Sequence, residues 1–136
     1  MAKTLDTIKL MGFVEIEGGI NGIHPADFRK LCDERWISIP SIGAGYDELI
    51  NNTDSVIYRA KIYGAKYLMC AWIPHDDGVF TIKNSKKTIY DFNKVGKLLK
   101  ENGLIFCYHA RGCKFQSYKN EYWVDWGKHN KKPNRS

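Results

Sequence analysis

The chain has 136 residues, of which 43% are hydrophobic and 26% charged, a balance typical of one globular domain. This composition excludes a disordered chain, and no apolar run reaches the roughly 20 residues that a membrane-spanning helix needs. Of the net charge of +6, four positive charges lie in the last nine residues, so residues 128–136 are interpreted as a solvated basic end rather than an arm that grips nucleic acid.

The apolar pattern predicts four helices, each followed by a strand. The first three helices are predicted around residues 5–11, from Pro25 onward, and over residues 46–63, with an irregular start to the third. A fourth helix carries its apolar face on Ile89, Phe92, Val95 and Leu99, after a loop over residues 75–88. The strands are predicted over residues 13–17, 36–43 and 66–74 and from Leu104.

The alternation of helix and strand predicts an α/β fold with parallel strands and right-handed crossovers. Three of the helices end in a glycine directly before a strand, at Gly12, Gly64 and Gly103. The fourth strand opens the stretch L-I-F-C-Y-H-A-R-G-C-K-F, which becomes polar at His109 and Arg111. Parallel strands carry their chemistry at their carboxyl ends, so this stretch is the first candidate for a functional site.

The four cysteines form no C-x-x-C pair, and three of them lie inside apolar runs. This pattern favours buried structural thiols in a reducing compartment, and the absence of an apolar signal at the N-terminus predicts a cytoplasmic location. Zinc bound by Cys107, His109 and Cys113 is the other interpretation, but the spacing matches no structural zinc pattern.

Four segments, in this order, resemble the sugar phosphate isomerase/epimerase family, the xylose-isomerase-like TIM barrels. They are G-F-V-E-I-E-G-G, D-E-L-I-N-N-T-D-S-V-I, G-A-K-Y-L-M-C-A-W-I-P and N-G-L-I-F-C-Y-H. The resemblance implies a partial (β/α) barrel over residues 1–118 that contains strands two to five, about four parallel strands and four helices, and is not closed. Residues 119–136 would then form an aromatic and then basic C-terminal tail.

The resemblance implies metal-assisted proton transfer on a sugar or sugar derivative, with Mn, Mg, Co or Zn as the divalent metal. Glu15 and His109 match the family's catalytic positions, and His109 is also the candidate metal ligand. His75 and Trp72, which lie at the end of the third strand, and Arg111 are the candidate substrate-binding residues.

Several alternatives stay open at this point. Where the family often reads Y-H-N-H-D-F-E-F, this chain has Arg111 and Lys114 at positions that carry a histidine and an acid, and cations there would repel a metal. The chain alone is therefore expected to be incomplete or inactive, and binding of no metal is the alternative to the family's divalent metal. A homo-oligomer or a completing chain is expected to supply the missing strands. The alternative function is a non-catalytic binding module whose basic tail engages an acidic partner.

Overall fold

A computed structural model describes residues 1–18, 22–75 and 80–109, together with the backbone of residues 117–118 and 122–123. These residues form five helices: α1 (Ala2–Leu10), α2 (Pro25–Asp33), α3 (Tyr46–Asn51), α4 (Thr53–Tyr63) and α5 (Ile82–Glu101). The strands of the main sheet are β1 (Glu15–Gly18), β2 (Ser38–Gly43), β3 (Tyr67–Cys70) and β4 (Ile105–Tyr108). A short antiparallel pair, β5 (Ser117–Tyr118) and β6 (Tyr122–Trp123), follows.

The four strands of the main sheet are parallel and lie in the order β1-β2-β3-β4. Each strand therefore pairs with the next one along the chain, without the reversal of order that marks a doubly wound sheet. Among the described strands the sheet is open, with β1 and β4 at its two edges. The prediction of an α/β fold with about four parallel strands and an unclosed barrel is confirmed.

The two faces of this sheet differ in what covers them. Residues that share a register row across the four strands point to the same face. The helix-covered row consists of Gly18, Ile42, Leu68 and Phe106, and the open row, one residue earlier in each strand, consists of Glu17, Ser41, Tyr67 and Ile105. Ile42 and Leu68 are fully buried in the core, whereas Tyr67 is 38% exposed and Ile105 44% exposed.

Two of the predicted helices differ from those observed. The predicted helix over residues 46–63 is interrupted at Asn52, whose φ of −145° and ψ of 46° are not helical. The last helix begins at Ile82, inside the segment predicted as a loop, because Thr81 and Asn84 form a capping box at its start. Its first buried positions are the polar residues Ser85 and Thr88, so the apolar pattern does not reveal them.

The outer parts of the chain add three observations. In β1 the ladder begins only at Glu15, and the preceding Phe13 and Val14 are each 55% exposed. The β5–β6 pair lies across the predicted domain boundary at residue 118, and that boundary stays a prediction. Among the helices in the described ranges, none combines the length and apolarity needed to cross a membrane, and the cytoplasmic location stays a prediction.

Candidate functional site

A cavity of about 560 Å³ opens at the carboxyl ends of β1 and β2. Its walls come from the ends of these two strands, from Pro25 at the start of α2 and from two side chains of α4, Arg59 and Tyr63. The volume is in the range of ordinary small-molecule sites, and the carboxyl edge of parallel strands is where such sites collect in α/β proteins. This cavity is therefore the principal candidate site.

Glu17 supplies one of the two carboxylates that line this cavity. The open row places its side chain on the uncovered face of the sheet, next to the end of β2. A Cβ atom at Gly43 would lie 3.3 Å from Glu17 Oε1, so the absent side chain at Gly43 leaves the space that the carboxylate uses. No hydrogen-bond or ion-pair partner for the Glu17 side chain occurs among the residues that the structure describes.

Glu48 and Arg59, which also line the cavity, form an ion pair with each other. Arg59 Nη1 donates to Glu48 Oε1 at 2.6 Å and Nη2 donates to Glu48 Oε2 at 3.0 Å, which is the bidentate geometry of a guanidinium and a carboxylate. Nη2 also lies 3.4 Å from the Gly43 carbonyl oxygen, so the guanidinium ties α4 to the end of β2. Nη1 and Nη2 of Arg59 are thus engaged by the protein itself, whereas the buried Nε has no hydrogen-bond partner among the described residues.

The segment after β3 brings together two of the predicted substrate-binding residues. The rings of Trp72 and His75 lie with their centroids 5.6 Å apart. His75 Nδ1 is 2.6 Å from the Ile73 carbonyl, and because a carbonyl only accepts, Nδ1 carries the proton. The segment is held from α5, where Asn84 Nδ2 donates to the Pro74 carbonyl at 3.3 Å.

His109 directly follows β4, and its backbone N–H donates to the Cys70 carbonyl at 3.0 Å. His109 is exposed, and it lies at the carboxyl end of the strand, the position that the sequence predicts; its catalytic role stays a prediction. Arg111 and Lys114 lie outside the described residues, so the predicted substrate contact of Arg111 stays a prediction.

Glu15 lies away from this edge. It is the first residue of β1, its Oε1 accepts a hydrogen bond from Ser38 Oγ at 3.3 Å, and it lines a second cavity at the amino ends of β1 and β2. Since β1 and β4 are three strand spacings apart, roughly 14 Å, Glu15 and His109 are at opposite edges of the sheet as well as opposite strand ends. The described strands do not bring these two predicted catalytic residues to one point.

The described side chains do not fit a complete metal centre. No group of three or more His, Cys, Asp or Glu side chains in the described ranges is placed to hold an ion. Glu17 lies in one outer strand of the sheet, β1, and His109 directly follows the other, β4. No catalytic step through a metal is therefore derived from these residues.

Sequence reasoning missed most of the cavity. The candidates predicted from the sequence do not include Glu17, although the alternation E-I-E puts Glu15 and Glu17 on one face and Glu17 nearer the carboxyl end of the strand. That position was the available signal. Glu48 and Arg59 carry no sequence signal, because their pairing depends on the break between α3 and α4.

Comparisons with known proteins agree with this architecture. No family model and no curated protein matches the chain. A sugar phosphate isomerase/epimerase from Parabacteroides distasonis ATCC 8503 superposes with a TM-score of 0.67 and 17% identity over 99% of this chain and 52% of that chain. A xylose isomerase domain containing protein from Salmonella typhimurium LT2 superposes with a TM-score of 0.59 and 17% identity over 79% of this chain and 43% of that chain.

The chain therefore spans about half the length of the solved structures that it matches. The resemblance to sugar phosphate isomerase/epimerase and xylose isomerase-like proteins is confirmed at the level of the fold. The four strands in chain order and their helices form a partial, TIM-barrel-like α/β fold.

Proposed function

We propose that this chain is an isomerase/epimerase-like protein that binds a sugar or sugar derivative at the carboxyl edge of its sheet and takes part in proton transfer there. The observation that carries the proposal is the fold, which follows a sugar phosphate isomerase/epimerase over 99% of this chain. The position of the cavity adds support, because barrel enzymes hold their active sites at the carboxyl ends of their strands.

The proposed chemistry needs a base and an acid within hydrogen-bond reach of the carbon and oxygen atoms that exchange protons. His109 is the proposed acid–base residue at the carboxyl edge, and Trp72 and His75 are the proposed sugar-binding pair beside it. Their contact in the structure supports a shared role, because an aromatic face packs against a sugar ring while an imidazole exchanges hydrogen bonds with its hydroxyl groups. Arg111 keeps the substrate-binding role that the resemblance implies, but Glu15 lies at the amino end of β1 and is left out of the proposed reaction at the carboxyl edge.

We also propose that a second copy of the chain or a completing chain covers the two sheet edges. The matched structures are about twice as long as this chain, and β1 and β4 leave backbone groups without a strand partner among the described strands. A closed eight-stranded barrel would result if four further strands joined both edges. Size-exclusion chromatography with light scattering tests this, and a strictly monomeric, fully active protein would contradict it.

The activity is tested by deuterium incorporation. A ketose such as D-fructose is incubated with the protein in D₂O, with Mn²⁺, Mg²⁺ or Co²⁺ added separately, and proton exchange at the carbons next to the carbonyl is followed by NMR. The proposal expects exchange above the metal-only control and a loss of about 100-fold or more in His109→Ala. Exchange that is absent in every arm, or unchanged in His109→Ala, would contradict the proposal.

The other function that the sequence suggests is a binding module with a basic tail. Residues 128–136 lie outside the described part of the chain, so this alternative stays a prediction. Nucleic acid binding that survives deletion of residues 128–136 would remove the role of the tail.

A further inference from the structure

We infer that the cavity at the ends of β1 and β2 binds an uncharged, hydroxyl-rich part of its ligand through Glu17 and disfavours a phosphate group. This inference rests on the proposed function, since it names the class of ligand for the same carboxyl edge. It rests on the charged side chains that line the cavity and on the hydrogen bonds and ion pairs that each of them makes.

The first step concerns the Glu17 carboxylate. An ionised carboxylate only accepts hydrogen bonds, and its two oxygens offer about four acceptor positions. Glu17 lines the cavity, and its side chain has no partner among the described residues. Neighbouring hydroxyl groups of a polyol are donors that match this acceptor set.

The second step concerns the only cation that lines the cavity among the described residues. Both terminal nitrogens of Arg59 are held by Glu48, and one also reaches the Gly43 carbonyl. A phosphate would have to displace Glu48 to gain this guanidinium, and the released carboxylate would then face the phosphate. While Glu48 is in place, the two terminal nitrogens of Arg59 are therefore not open to an anion, and its third nitrogen, Nε, is buried.

The third step is the sum of the formal charges. Glu17 and Glu48 carry two negative charges and Arg59 one positive charge, so the described wall has a net charge of −1. A phosphate dianion in this cavity meets net repulsion, whereas a neutral hydroxyl group does not.

The experiment compares three probes by NMR titration of the full chain: D-fructose, fructose 6-phosphate and glucosamine. The backbone amides of Gly22, Gly43 and Gly45, which line the cavity, report occupancy. We expect D-fructose to shift these signals and fructose 6-phosphate to bind at least about fivefold more weakly, with the difference shrinking as salt is added.

Two variants of matched chemistry identify the residue. Glu17→Gln keeps the shape but removes the charge, so the preference for D-fructose over its phosphate ester should fall to within about twofold. Glu101→Gln, which removes an exposed carboxylate at the end of α5, is the control and should retain the preference. The amide spectrum of each variant shows directly whether it is folded.

Four results would overturn the inference: tighter or equal binding of fructose 6-phosphate, a preference that Glu17→Gln leaves unchanged, shifts with glucosamine alone, or no shift with any probe. The titration needs no turnover. A preference for D-fructose without deuterium exchange would therefore uphold this inference while the proposed function failed, and exchange without the preference would do the reverse.

Discussion

The helix-covered row and the open row of the sheet are neighbours in sequence but have opposite surroundings. Leu68 is fully buried, and Tyr67, one residue earlier in β3, is 38% exposed. Parallel strands inside a complete barrel are buried on both faces, so a row this open indicates a sheet with one covered face among the described residues. The difference separates the residues that hold the fold together from those available to a ligand or a partner.

The largest expected effect comes from truncating a buried side chain on the helix-covered face of the sheet. Leu68→Ala removes a fully buried side chain from the centre of the sheet, and we expect it to lower the free energy of unfolding by about 2–5 kcal/mol. Tyr67→Ala is the matched control on the open row, with an expected change of less than about 1 kcal/mol. Urea unfolding followed by circular dichroism measures both, and equal losses would show that the open row is covered in solution.

The next effect comes from adding a methyl group to the covered face. A Cβ at Gly18 would lie 2.5 Å from Ile39 Cγ2 and 3.3 Å from Ile42 Cγ2. Gly18→Ala should therefore cost about 1–3 kcal/mol of unfolding free energy through overpacking. Gly45→Ala is its control, because a Cβ there meets nothing within 4 Å, and thermal unfolding should separate the two variants clearly.

The helix layer contains a buried carboxylate, Asp91, that accepts hydrogen bonds from neighbouring side chains. Asp91 is buried, its Oδ2 accepts from Lys87 Nζ at 2.6 Å, and it also accepts from the Tyr46 hydroxyl. Burial alone would raise the pKa of Asp91, but the hydrogen bonds from Lys87 and Tyr46 outweigh it and hold the pKa below its usual 3.8. Glu17 on the open face has no such donors in the described residues.

Asp91→Asn should lower the free energy of unfolding by about 1–3 kcal/mol at neutral pH, since it weakens two hydrogen bonds to a buried acceptor. A depressed pKa stabilises the folded state above the unfolded pKa, and the contribution is lost as the pH falls through the folded pKa. The difference between wild type and variant should therefore shrink in denaturant titrations below about pH 4. The exposed Asp47→Asn is the control, and a difference that grows toward acid pH would contradict the assignment.

The smallest effect is a difference in thiol reactivity between the two faces. Cys70 is fully buried beside the helices, and burial raises the pKa of its thiol, whereas Cys107 is half-buried next to Met69 in the open face. Iodoacetamide should modify Cys107 about tenfold faster than Cys70, as measured by peptide mass spectrometry of the native protein. A Cys70→Ser variant checks the peptide assignment, and slow reaction at both thiols would indicate that a partner covers the open face.

The sequence predicts the sheet well and the site only in part. Alternating apolar strands and glycine stops are local signals, so the four parallel strands could be predicted. The early start of α5 could not be, because Ser85, Thr88 and Asp91 are polar yet buried and give no apolar period. Trp72 and His75 belong to one short segment, so their proximity could be predicted from the sequence. The ion pair between Glu48 and Arg59 joins residues 11 positions apart in two helices, and it depends on how α3 and α4 pack.

The sequential strand order also has a consequence for how the sheet opens. In the main sheet, each strand pairs only with the strands before and after it in the chain. The sheet therefore resembles a one-dimensional array in which each unit is stabilised by its nearest neighbours. Among the described strands, β2 and β3 have neighbours on both sides, while β1 and β4 have one each. Local unfolding is therefore expected to start at the two outer strands, which carry Glu17 and precede His109, and to leave the β2–β3 pair as the last structure to open.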